Sequence, residues 1–198
     1  MLPAGPQPFE KGVIRVPTSQ GDSSSVSSVL ERIPLGIRMF FYGMFFLAFV
    51  LVGLPWLAYR IDVYVPRWHT EIGGLRIVGV ALFLAFLGMY IFCSYVLSSR
   101  GGGPFVEFDP PREFVASGPY RWVRNPVAAC LIGAVLGLAI ALSSTGISLL
   151  FLLALPLAHM QVVLLEEPLL RKRFGSSYEE YTRRVPRWIP RPPKTPET

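Results

Sequence analysis

The stretch "PVAACLIGAVLGLAIALSSTGISLLFLLALPLAHMQVVLL", residues 126 to 165, runs for 40 residues without an Asp, Glu, Lys or Arg. About 20 apolar residues cross the hydrocarbon of a bilayer, so this run is too long for one span and the right length for two. It carries a breaker at Leu142–Gly146, "LSSTG", where small polar residues and Gly favour a tight turn. The reading is a helical hairpin, with spans at about 126–143 and 146–165. Upstream, Met39–Tyr59 and Ile77–Leu97 are also free of those charges, 21 residues each, and predict spans at about 39–59 and 76–97. The expected fold is an all-α membrane protein of about four transmembrane helices, the third and fourth forming the hairpin, with a C-terminal amphipathic helical segment. A soluble helical bundle is the rival, but bundles keep a polar face and these segments have none. A hydrophobic content of 52% and a mean hydropathy of +0.44 agree with membrane burial.

The net charge of +6 raises the question of nucleic acid, and the distribution of charge answers it. With four spans, both termini and the 98–125 loop share one side, which holds 16 of the 19 Lys and Arg; Arg60, Arg67 and Arg76 fall on the other. That asymmetry follows the positive-inside rule and predicts cytoplasmic termini, with the basic tail against anionic membrane lipids and no nucleic-acid partner. Cys93 and Cys130 both fall inside spans, so a disulfide framework is not expected. No cleavable signal peptide is expected either, since residues 1–30 are rich in Pro, Ser and Gly with no early apolar core. Residues 1–35 read as a disordered leader and 191–198 as a flexible tail. The sequence leaves the oligomeric state open.

Two polar stretches carry the unusual chemistry. Between the second and third spans, Gly101–Gly103 allows close backbone approach or a sharp turn. "SGPYRWVRNP", residues 117–126, then packs Arg121 and Arg124 among Tyr120, Trp122 and Pro126 at the mouth of a span. An interfacial belt of aromatics and arginines explains these residue types; it does not explain the Gly-Pro rigidity. After the hairpin, "EEPLLRKRFGSSYEEYTRRVPRWIP", residues 166–190, opens on two carboxylates at membrane depth, where charge is costly. Pro168 suits a helix start or kinks a continuing helix. Leu169, Leu170, Phe174, Tyr178 and Tyr181 fall on one helical face, and Gly175 is expected to break or cap the first piece.

Together, "GPYRWVRNP", two spans, the paired Glu, "FGSSYEEY" and "VPRWIP" resemble the integral-membrane methyltransferases of the isoprenylcysteine carboxyl methyltransferase and phospholipid N-methyltransferase group, over residues 76–190 or so. The resemblance implies methyl transfer from S-adenosylmethionine to a lipophilic or membrane-embedded acceptor, within a domain spanning 36–190. It implies a cofactor held between the 98–125 loop and the covering segment 166–190. Gly101, Gly103, Gly118, Pro119, Tyr120, Arg124, Asn125, Pro126, Glu166, Glu167 and Tyr178 are then the candidate cofactor contacts. Asn125 and Ala128 depart from the family pattern, which usually has His and Tyr at these places.

The residues suit this chemistry. Methyl transfer from a sulfonium is an in-line displacement in which the enzyme chiefly positions two partners, and the sequence shows no cluster of metal ligands. A carboxylate from Glu166 or Glu167 suits the ammonium or ribose diol of the cofactor; the structural alternative is ion pairing with Arg121, Arg124 or Arg171–Arg173. Arg124 suits a cofactor carboxylate or an acidic acceptor, and Arg121 equally suits a lipid headgroup. His159, inside the fourth span, is either a proton acceptor for an amine or thiol substrate or a hydrogen-bonded core residue. Arg124, Glu167 and His159 are the candidate catalytic residues. Gln161 reads as a helix–helix hydrogen bond, and Tyr178 and Tyr181 as packing residues first and a lid second. The competing classes are a membrane reductase using NADPH and a non-catalytic membrane scaffold.

Overall fold

Gly79, Phe83, Phe86, Tyr90, Cys93 and Leu97 recur at alternating intervals of four and three, the spacing that keeps one helix face against a neighbour. In the computed structural model, which describes residues 13–14, 35–64, 73–101 and 114–192, that face is a seam between two helices. The elements are β1 (Val13–Ile14), α1 (Leu35–Ala48), a π-helical turn Phe49–Gly53, α2 (Leu54–Ile61) and α3 (Leu75–Gly101). After them come β2 (Phe114–Val115), a 3-10 turn Gly118–Arg121, α4 (Pro126–Leu142), α5 (Thr145–Gln161), a π-helical turn Val162–Glu166 and α6 (Glu167–Arg184). Three helical stretches, Phe41–Ile61, Leu75–Gly101 and Thr145–Arg184, are long and apolar enough to cross a membrane. The fourth, α4, has 17 residues, about 26 Å of helix. These are the expected spans, with boundaries moved by a few residues.

The α3–α4 seam brings backbone against backbone. A Cβ on Gly79 would lie 2.3 Å from the Ala141 nitrogen, one on Gly137 2.5 Å from the Phe83 nitrogen, and one on Gly133 2.6 Å from the Phe86 ring. Gly133, Gly137 and Ala141 stand four residues apart, the small-residue spacing that lets membrane helices approach closely. At the far end of α4 the "LSSTG" turn forms as expected: Ser143 takes a left-handed conformation, φ 48°, and the Ser144 hydroxyl caps α5 by accepting from the Ile147 N–H at 3.1 Å. A second cap comes from outside the hairpin. The buried carboxylate of Asp62, at the end of α2, accepts from the Gly146 N–H at 2.6 Å. Gly146 admits this because its α-carbon lies against the Ala58 carbonyl, where a Cβ would come within 2.0 Å of the oxygen. Ala58 packs there with Val135, Ala139 and Ile147, tying α2 to both arms of the hairpin.

Two local departures from the sequence reading have physical causes. The fourth span and the C-terminal segment, for which Pro168 left open a new helix start or a kinked continuation, are one helical run, Thr145–Arg184. Pro168 has no N–H for the carbonyl four residues back, and the chain widens just before it, with the Glu167 N–H bonding the Val162 carbonyl five residues back. The same device precedes Pro55, where the Leu54 N–H bonds the Phe49 carbonyl. Gln161, expected to bond another helix, instead donates to Glu166 Oε1 at 3.1 Å, because the wide turn lays positions five apart over one another. Within the stretch read as a leader, Val13 and Ile14 pair antiparallel with Val115 and Phe114; this two-residue ladder uses β-branched residues at 13, 14 and 115, which suit extended chain. The rest of the leader before residue 35, and the tail from 193, lie outside the described residues.

The seam makes a direct prediction. Gly137→Val forces a side chain into the Phe83 backbone and should cost about 1–3 kcal/mol, the usual range for overpacking. Gly88→Ala is the control on the same seam helix: nothing lies within 4 Å of its Cβ position, and the exchange should be neutral or mildly stabilising. Thermal unfolding of both variants in detergent checks the contrast.

Candidate functional site

The widened turn at Val162–Glu166 decides which carboxylate faces inward. Val162 and Glu167 are five residues apart, and an uninterrupted α-helix would set them about 140° apart. With the wide turn between them, Val162 is 1% and Glu167 2% exposed, while Leu164 and Leu165 face outward. Glu167 thus enters the junction between α6, the segment before α4 and the irregular chain after α6.

Three arginines meet it there. Arg124 Nη1 donates to Oε1 at 3.0 Å and Arg171 Nη2 to Oε2 at 3.1 Å. Arg187 closes a bidentate pair, Nε to Oε1 at 2.6 Å and Nη2 to Oε2 at 3.1 Å. An ionised carboxylate has about four acceptor positions, and these four bonds occupy them. Burial raises the Glu167 pKa, but the Arg187 hydrogen bonds and then the charges of Arg124, Arg187 and Arg171 outweigh it and hold the group below its ordinary value. Of the two sequence alternatives for this residue, the structure shows the ion pair: Glu167 is bound by three arginines.

The chain after α6 is stitched to the segment before α4. The Arg124 N–H donates to the Pro186 carbonyl at 2.9 Å and the Arg191 N–H to the Trp122 carbonyl at 3.1 Å. Asn125 Nδ2 donates to the Arg187 carbonyl at 3.2 Å. Asn125 is thus a clip between two chain segments, and Pro126 starts α4. Beneath them, Phe114, Phe174, Tyr178 and Tyr181 form a buried aromatic cluster with Val185, and the Tyr181 hydroxyl donates to the Tyr120 carbonyl at 2.7 Å. Burial first, and the Glu167 carboxylate second, push the Tyr178 phenol up, which places Tyr178 within electrostatic range of the hub. Packing is its first role, as expected. Gly175 kinks α6 between these residues, at φ 53° and ψ −130°.

Not every candidate residue gathers here. The Tyr120 ring points into the α3–α4 seam among Val96, Leu97, Val115 and Val127. Gly118 and Pro119 form the 3-10 turn before it, Gly101 ends α3, and Gly103 lies outside the described residues. His159 is exposed on α5, and its Nδ1 accepts from Trp188 Nε1 at 3.0 Å. That bond occupies the lone pair a general base needs, leaves the proton on Nε2, and ties His159 to the C-terminal chain instead of to Arg124 or Glu167. Glu166 is half-buried and accepts from Gln161. Arg187 was not singled out by the sequence reading; its cue was its place inside "VPRWIP", directly after the kinked helix. Among the described residues, no group of three His, Cys, Asp or Glu could hold a metal.

Removing the hub carboxylate leaves three guanidiniums without their shared partner. Breaking a buried pair typically costs about 3–5 kcal/mol, and the partial exposure of Arg171 and Arg187 puts Glu167→Ala at the low end. Hydrogen exchange should report the loss as faster exchange of the amides of Arg124 and Arg191. Because native Glu167 titrates below its unfolded value, its stabilisation is fully present above about pH 4.3 and is lost as pH falls through the lowered native value. Glu167→Gln should flatten this acid limb in thermal unfolding followed against pH; an unchanged limb would show that the hub does not carry it.

Comparison with known proteins places these features in a family. The family model described as phospholipid methyltransferase matches residues 75–177, from the start of α3 into α6. The nickel-cobalt-cadmium resistance protein NccN of Alcaligenes xylosoxydans xylosoxydans is 32% identical over 79 residues, covering 40% of this chain and 37% of that protein. The cobalt-zinc-cadmium resistance protein CzcN of Cupriavidus metallidurans is 27% identical over 129 residues, covering 62% of this chain and 55% of that protein. The match thus spans about half or less of each relative's own length. No solved structure matches. The family match covers more than half of the chain, and the apolar helices agree with it: this integral membrane protein belongs to the phospholipid methyltransferase family.

Proposed function

We propose that the chain transfers a methyl group from S-adenosylmethionine to a lipophilic acceptor that enters from the bilayer. The observation that carries this reading is the convergence at Glu167 of three segments distant in sequence: the chain before α4, the start of α6 and the chain after it. The junction also has polar groups suited to the cofactor. Ser117 Oγ and Arg124 Nε are buried without a hydrogen-bond partner, and buried polar atoms ordinarily have one. Both can donate to a carboxylate, a ribose hydroxyl or an adenine nitrogen. The bound cofactor supplies a methyl group activated by a sulfonium.

The chain's own residues supply position and charge. Glu167 fixes three guanidiniums, so the hub carries a formal excess of two positive charges, suited to the cofactor's carboxylate or to an acidic acceptor. Glu166, which accepts from Gln161, retains acceptor capacity and is the better carboxylate for an ammonium or a diol. The stitched segment 185–191 covers the hub and limits the entry of water. The distribution of Lys and Arg supports cytoplasmic termini. His159 does not serve as the base while Trp188 holds it, which favours an acceptor that needs no base at that position, such as a carboxylate.

Calorimetric titration of the protein in detergent tests the reading. S-adenosylmethionine should bind saturably and NADPH should not. Glu166→Gln should weaken S-adenosylmethionine about tenfold or more, the scale of one charge-assisted hydrogen bond, with little change in the unfolding temperature. Arg124→Ala should reduce methyl transfer more than Arg121→Ala, since Arg121 is exposed. No binding to a folded sample would overturn the proposal.

A further inference from the structure

Cys93 and Cys130 meet on the α3–α4 seam, where each is a free thiol and both lie in one buried cluster. They are 0% and 5% exposed and pack with Tyr90 and Leu131. Nothing in the methyl-transfer reading uses them. Beside them the Tyr120 ring is wedged between the same two helices: it packs on Val96 and Leu97, one turn beyond Cys93, and on Val127, one turn before Cys130. Its hydroxyl is buried and has no hydrogen-bond partner, and Val127 packs against both the Tyr120 cluster and the cluster that holds the two cysteines. An orphaned hydroxyl on the cluster that adjoins two buried thiols is a group in search of a ligand.

We propose that Cys93 and Cys130, with the Tyr120 hydroxyl as a neutral third donor, form a binding site for one soft divalent d10 cation on the helix seam. Thiolates select soft cations, while hard cations prefer oxygen. The low-dielectric surroundings select the charge: two thiolates and a divalent ion sum to zero, whereas a bare charge at this depth is costly. On binding, two S–H bonds break, two metal–sulfur bonds form, two protons leave to solvent and no electron is transferred. The glycine contacts of the seam keep the helix backbones in place, so the thiols need only separate to admit the ion between them. Occupancy would clamp α3 to α4 directly beneath the Gly118–Arg121 turn, and so link the seam to the segment that carries Arg124.

Cadmium ion alone is a sufficient probe. The full chain in detergent, reduced and freed of metal, should bind one cadmium per chain, with an ultraviolet thiolate-to-cadmium charge-transfer band that saturates at that ratio and acidifies weakly buffered solution. Both thiols should become resistant to alkylation. Cys93→Ala and Cys130→Ala should each abolish the band while leaving helix content and S-adenosylmethionine binding unchanged. The wild-type protein decides the matter even if a variant fails to fold: absence of a saturating band, or alkylation of both thiols at an undiminished rate with cadmium present, overturns the site. A band that persists in the folded double variant assigns the ion elsewhere and overturns it as well.

Discussion

A carboxylate with four charge-assisted hydrogen bonds, buried where a membrane helix leaves the apolar region, is the constraint around which the rest of the site is arranged. Glu167 has no low-energy alternative to its arginines: turned outward it would meet lipid, and left inward without them it would be an unpaired buried charge. The three guanidiniums are equally committed, because each comes from a different segment and their mutual repulsion is relieved at a single point. The local backbone follows from this. The wide turn at Val162–Glu166 changes the helical phase so that Glu167 faces the junction. Pro168 favours that turn because it has no N–H to continue the regular ladder. The chain after α6 then runs back across the hub because Arg187 must reach it.

The helix seam supplies the rigid base against which this junction is held. Bilayer lipid gives little hydrophobic drive for helix association, so close contact of small residues has to do that work; Gly79, Gly133 and Gly137 provide it between α3 and α4. At the opposite end Asp62 fixes the start of α5 through the Gly146 N–H. The position of Glu167, within the same helical run, is therefore referred to a cap six turns away as well as to its own arginines. A helix anchored at both ends can present a side chain reproducibly even though its outer face meets only lipid.

Much of this was legible in the residue order, and the rest was hidden for identifiable reasons. Charge-free runs located all four spans because exclusion of charge from hydrocarbon is a strong and local rule. "LSSTG" located the hairpin turn because small polar residues have few other uses between two apolar helices. Arg124 and Glu167 were both singled out, and the structure brings them together. Arg187 escaped because its partner is 20 residues away across a change of helical phase, and the periodicity that assigns faces fails at a π-helical turn. Gln161 was given the wrong partner for the same reason. Asp62 drew no comment because a single acid after an apolar run looks like an ordinary helix end; its partner, a backbone N–H 84 residues on, has no sequence signature.

Adjacent identical residues need not share a role, and Glu166 and Glu167 show how environment separates them. The backbone turns them to different sides of one helix. Glu167 receives four N–H donors, which fill its usual acceptor positions. Among the described residues Glu166 receives one donor, from Gln161, which leaves acceptor positions open. A carboxylate that is fully coordinated can only orient what it already holds, whereas one with open acceptor positions can take a new cationic or hydroxyl-bearing partner. If the chain is the methyltransferase proposed, the acid that sets the geometry and the acid that meets the cofactor must then be different residues. The wide turn between α5 and α6 is the structural reason that two consecutive glutamates can serve as both.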